Sequence, residues 1–145
     1  MRGMRIPDSV RDLLATGPLG HVVILHADGR PHVTLAWAGL DGDDLVFSTF
    51  YDQHKVRDLR RDPRVTISFQ APEKAPEDVL HPYLVVEGRA TITEGGALEV
   101  MDRLSPAYIG QDRFPMRDAP EGATFRFAIE RLYGVGPWRG SGSDS

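Results

Sequence analysis

The chain has 145 residues, a net charge of −4 and no cysteine. That length suits a single domain able to bury about two-thirds of its unfolded surface, and the missing thiols exclude disulfides, thiolate metal sites and cysteine nucleophiles. The acidic balance gives nucleic acid no reason to bind; no apolar run nears the ~18–20 residues of a membrane span and no signal-peptide core is present, so the expectation is a soluble cytoplasmic protein.

Pro7-Asp8-Ser9 is a helix-start cluster, and Val10, Leu13 and Leu14 share a face before Gly17-Pro18. This predicts a short amphipathic helix over 7–16 that covers one end of a barrel. Val22–Leu25 and Val33–Trp37 are β-rich runs separated by Asp28-Gly29, a hairpin signal. Asp41-Gly42-Asp43 then turns the chain into Leu45–Thr49, and such closely spaced strands predict an antiparallel meander.

Phe47 to Val65 reads as a strand end, a hydroxyl-rich turn and a short basic helix. Asp52 is a candidate N-cap, Val56 and Leu59 lie on one helical face, and Asp62-Pro63 stops the helix. His54 and Lys55 fall in its first turn, where cations oppose the helix dipole by roughly 0.3–1 kcal/mol. They make sense there if an anion sits between them and the free backbone N–H groups, and a phosphate does so. Ser48 and Thr49 would add hydroxyl donors. The same spacing also suits a solvated, charge-mixed helix whose cations pair with Asp52, Asp58 and Asp62, and no glycine-rich phosphate loop accompanies it.

Val65–Phe69 alternates as a half-buried strand, and the proline-rich, charged run 71–82 is a loop long enough for a lid. His81 and Tyr83 beside it are candidate ligand contacts, although a buried tyrosine anchor is the commoner outcome. Tyr83–Thr93 is the longest strand candidate, with Gly88 marking a bulge or a close backbone approach. After Gly95-Gly96, Leu98, Met101, Leu104 and Tyr108 have helical spacing that Pro106 disturbs, a stripe that reads as core or dimer seam. Residues 109–122 are irregular. Phe125, Phe127 and Ile129 alternate, Leu132–Val135 continues that strand past a bend, and Trp138-Arg139 implies docking near the end. One domain over 1–140 and a disordered tail over 141–145 are expected. His21, His26, His32, His54 and His81 show no metal-ligand spacing, no Ser/His/Asp arrangement emerges, and no catalytic side chain is singled out.

Ser48-Thr49, His54-Lys55-Val56-Arg57 and Leu59–Val65 resemble the phosphate-binding signature of the pyridoxamine 5′-phosphate oxidase-like flavoproteins, and more narrowly the branch that uses the deazaflavin coenzyme F420. Gly29–Thr34 with Trp37, Tyr83–Ala90, Leu104–Pro115 and Tyr133–Trp138 extend the likeness over about residues 9–139. The resemblance implies a mainly β fold: an FMN-binding split β-barrel, Greek-key antiparallel, with a few short flanking helices. It also implies a homodimer with two cofactor sites at the interface. Phosphate contacts would come from Ser48, Thr49, His54, Lys55 and Arg60. The ring would lie against Val33, Thr34, Ala36 and Trp37, and the partner subunit's Trp138 would close the site. Position 54 holds His where Arg is common in the family, a weaker and pH-sensitive phosphate partner. The implied function is an F420-dependent oxidoreductase that moves a hydride between reduced deazaflavin and a small organic acceptor. Two alternatives remain open: an FMN-dependent oxidase on the same barrel, and a non-catalytic F420- or FMN-binding carrier.

Overall fold

The computed structural model describes residues 4–138. Arg139 and the tail expected over 141–145 lie outside the described residues. The chain forms α1 (Asp8–Ala15), β1 (Gly20–Leu25), β2 (Pro31–Ala36), β3 (Ala38–Asp41), β4 (Asp44–Thr49) and α2 (Gln53–Arg61). It continues through β5 (Arg64–Gln70), β6 (Tyr83–Glu94), α3 (Ala97–Ile109) and β7 (Ala123–Val135). The strands make one sheet in the order β2-β1-β5-β6-β7-β4-β3, with every neighbouring pair antiparallel.

The meander expected over the first strands does not form. β2 pairs with β1 at one edge of the sheet, and β3 pairs with β4 at the opposite edge. Ala36 and Ala38 are both buried and no turn separates them, so the chain leaves one edge and enters the other across Trp37 alone. Consecutive Cα atoms are 3.8 Å apart, so the two edges lie within roughly 8 Å of each other at that corner. The sheet therefore curls on itself there without closing along its length, which is a split barrel.

Alternation decides what fills it. Val65, Ile67 and Phe69 point inward from β5, as do Phe125, Phe127 and Ile129 from β7. Phe47 stacks on Phe125 at 4.9 Å across β4 and β7. Gly88 carries the expected irregularity, where the β6–β7 register shifts between Glu87 and Gly88. A Cβ at Gly88 would lie 2.2 Å from the Ala128 carbonyl oxygen, so only glycine permits this approach.

α1 buries Val10, Leu13 and Leu14 as its spacing predicts. α3 packs against β4 and β7 and reaches β3 through Leu104, which comes so near that a Cβ on Gly39 would meet its Cδ2 at 2.6 Å. No helix among the described residues is long and apolar enough to cross a membrane.

Candidate functional site

The start of α2 is built much as the sequence suggests, with one consequence it does not suggest. Asp52 caps the helix by accepting the Lys55 backbone N–H at 3.0 Å, and Thr49 Oγ1 accepts the Asp52 N–H at 3.0 Å. The Gln53 N–H bonds to the Tyr51 carbonyl. These bonds use first-turn donors that a phosphate on the helix end would need, and they place a carboxylate where that phosphate was expected. The cap thus takes the Gln53 and Lys55 N–H groups and leaves the His54 N–H as the first-turn donor without a partner among the described residues.

Lys55 and Ser48, expected at the phosphate, and Thr34, expected at the ring, are expected side chains without a polar partner among the described residues. Lys55 is 4% exposed, and its ammonium lies 5.9 Å from the centre of the Phe47 ring. It makes no ion pair or side-chain hydrogen bond among the described residues, and burial pulls it below its ordinary value against the opposing pull of Asp52. The hydroxyls of Ser48 and Thr34 are buried with no hydrogen-bond partner. Each buried polar group left unpaired costs about 1–3 kcal/mol, so the Thr34 and Ser48 hydroxyls are each a group that an external partner would satisfy. Ser48 follows Phe47 on β4 and so turns to the opposite face of that strand, while Lys55 and Asp58 share the buried face of α2. Asp58 in turn reaches His32, which sits on the same side of β2 as Thr34.

Other expected residues are employed elsewhere. Arg60 pairs with Glu94 at 2.5 Å in the open. His54 is exposed, and its Nδ1 accepts from Arg57 at 2.9 Å. Asp58 takes Arg61 and Asp62 takes Arg64, so the reading of α2 as a charge-mixed helix describes this part of it. Val33 and Thr34 cannot flank one ring through their side chains in the same protomer. β2 alternates, leaving Val33 58% exposed outside while Thr34 and Ala36 turn inward. Trp138 is 3% exposed in its own protomer's core and donates Nε1–H to the Tyr83 carbonyl at 2.9 Å. The docking expected of this aromatic is into the body of its own protomer. Loop 71–82 is tied across its base by Ala71 N–H to the Pro82 carbonyl, and with α1 and Trp138 it borders a cavity of about 490 Å³. None of Thr34, Ser48 and Lys55 lines that cavity.

Trp37 lies half-buried at the barrel corner, stacked on Tyr108 (5.0 Å, 7°) and meeting Phe114 edge-on at 5.7 Å. Phe50 packs 5.6 Å from Phe114 and 6.3 Å from Tyr51. Phe50 and Tyr51 directly follow Ser48 and Thr49 in the chain, so with Phe114 they are further candidates for the site, and that adjacency is the sequence signal for them. Tyr108 accepts the Ala38 N–H at 3.0 Å and donates to the Pro18 carbonyl at 2.6 Å, and burial pushes its hydroxyl up to about 12.

Residues 6–136 match the sequence model of a family described as Pyridoxamine 5′-phosphate oxidase. No protein of curated function matches the sequence. Among solved structures, an F420 reductase is similar with a TM-score of 0.72 and 23% identity, over 88% of this chain and 98% of that one. HupZ of Group A Streptococcus gives 0.65 and 18%, over 91% and 95% of the two chains. HutZ, the heme storage protein of Vibrio cholerae, gives 0.65 and 17%, over 90% and 95%. At these identities the likeness is one of fold.

Proposed function

Because this chain belongs to the pyridoxamine 5′-phosphate oxidase family, we propose that it is a two-electron oxidoreductase that takes F420, with FMN as the alternative cofactor. The carrying observation is the Lys55 ammonium, which has no ion pair among the described residues, with the unpartnered Ser48 and Thr34 hydroxyls as further donors. A phosphorylated ligand supplies acceptors of the kind these groups want. The F420 reductase among the structural relatives supports the finer reading. HutZ shares the fold, so fold alone does not choose, and what favours an anionic cofactor is the chemistry of these donors.

When bound, such a ring supplies hydride chemistry. The chain's own part is to bind and orient. Lys55 and the two hydroxyls hold the phosphate, and Trp37, braced by Tyr108 and Phe114, offers an apolar plane that keeps water from one side of the ring. The working form is a homodimer with a cofactor site at each end of its interface. Its seam is the outer face of β1 and β2, where Val33 and Leu35 are 58% and 56% exposed. Pairing of that face with a second copy also covers the free edge of β2.

The test is equilibrium titration of the purified chain with F420 and, separately, FMN, read by cofactor fluorescence. Binding of F420 at about micromolar Kd or tighter, with FMN much weaker, supports the reading. Preference for FMN moves the chain to the oxidase reading. If neither binds, the family's cofactor chemistry does not apply to this chain. Loss of reduced F420 on addition of electron-poor C=C or C=N acceptors separates an enzyme from a carrier.

A further inference from the structure

The tertiary structure brings together two histidines and an aspartate that no spacing in the sequence connects. His26 follows β1, His32 lies in β2 and Asp58 sits on the buried face of α2. Asp58 Oδ2 is 2.9 Å from His26 Nδ1 and 3.4 Å from His32 Nδ1. Yet Oδ2 and His32 Nδ1 are both buried and neither makes a hydrogen bond. Asp58 is 6% exposed, and its other oxygen is fixed by Arg61 at 2.9 Å. Arg61 also donates to the Leu25 carbonyl at 2.8 Å, so the carboxylate has little freedom to turn away. Both contacts are at ion-pair distance while the ring orientations make no hydrogen bond, so a bound ion is a second way to join the three groups.

We propose that His26, His32 and Asp58 form a binding site for one divalent transition-metal ion of the zinc class. Bonds of about 2.0–2.2 Å in tetrahedral geometry put neighbouring ligand atoms roughly 3.3–3.5 Å apart. The two separations to Asp58 Oδ2 are within about half an ångström of that, and all three ligand atoms lie within 4.8 Å of one another. Two neutral imidazoles and one carboxylate suit zinc rather than magnesium or calcium, which take oxygen-rich sites, and they leave a position for water. The imidazole rings are stacked, with centroids 4.6 Å apart and planes inclined at 12°, so one must swing to aim its lone pair at the ion. His26 has the room, with a side chain 36% exposed at the hairpin rim, and rotation of an imidazole about its second torsion is soft. The ion would clip the β1–β2 hairpin to α2, the helix that carries Lys55. The site stands whether or not F420 binds.

The experiment titrates the untagged full chain with Zn²⁺ by calorimetry and with Co²⁺ by visible absorption. One ion per chain with a Kd at or below about 10 μM, together with a rise in melting temperature, is expected. His26→Ala and Asp58→Asn should each weaken binding at least about tenfold, while His21→Ala should bind as the parent does. Asp58 is buried, so circular dichroism checks that its variant folds, and the half-exposed His26 is the deciding arm. Binding weaker than about 10 μM, or parent-like binding by a folded His26→Ala, overturns the proposal.

Discussion

Replacing Tyr108 with Phe removes a single oxygen from the corner where the barrel's two edges meet. That oxygen accepts the Ala38 N–H at 3.0 Å and donates to the Pro18 carbonyl at 2.6 Å, with the Ala38 carbonyl also at 3.0 Å. A buried donor left unpaired costs about 1–3 kcal/mol and the other lost bond about 1, so Tyr108→Phe should lose roughly 2–4 kcal/mol. The ring and its stacking on Trp37 remain, which isolates the hydroxyl as the cause. Urea unfolding reads this as a lower midpoint at unchanged slope. The pH dependence is a second check. Burial raises the hydroxyl to about 12 against an ordinary value of 10.0, so the folded state holds the proton more tightly than the unfolded chain does. That stabilisation is complete below pH 10 and lost as pH rises towards about 12. A gap of this size is worth roughly 2–3 kcal/mol, so the difference between parent and variant should narrow across that window. A variant within about 0.5 kcal/mol of the parent at neutral pH, or a gap indifferent to pH, would refute the role given to Tyr108.

Lys55→Met removes a buried, unpaired ammonium, so the ligand-free protein should gain about 1 kcal/mol in thermal unfolding while F420 affinity falls at least about tenfold. Gly88→Ala forces a Cβ to 2.2 Å from the Ala128 carbonyl oxygen and 2.6 Å from Phe127 Cδ2, and should cost about 3 kcal/mol or more in denaturant unfolding. Arg64 hydrogen bonds hold Asp62 down at about 2, so the parent's advantage over Asp62→Asn should be present above about pH 4 and vanish as pH falls to about 2. Screening at this exposed pair keeps that advantage under about 1 kcal/mol by chemical denaturation at each pH. Leu35→Glu should leave a folded monomer by light scattering, because it puts a charge in the proposed seam; a dimer that persists would place the interface elsewhere.

Much of the local structure was legible in the residues themselves. Asp52 as the cap of α2, Asp62-Pro63 as its stop, the buried face of α1 and the irregularity at Gly88 each depend on neighbours close in the chain. Capping, periodicity and glycine's missing Cβ act over a few residues, so a linear reading captures them. Ser48 and Lys55 were legible as polar groups wanting a partner for the same reason.

What only the tertiary structure decided lies between segments far apart in the chain. Alternation alone cannot say which strand a strand will pair with, so the early runs read as a meander, while burial of Ala36 and Ala38 on either side of Trp37 sends β2 and β3 to opposite edges. The same limit hid the fate of charges. Arg60 found Glu94, His54 accepted from Arg57, and Trp138 was drawn inward by the Tyr83 carbonyl, whereas His26, His32 and Asp58 converged with no motif to announce them. Sequence determined which groups need partners. The curl of the sheet decided which partners came within reach, because hydrogen bonds and ion pairs act over a few ångströms of space and not along the chain.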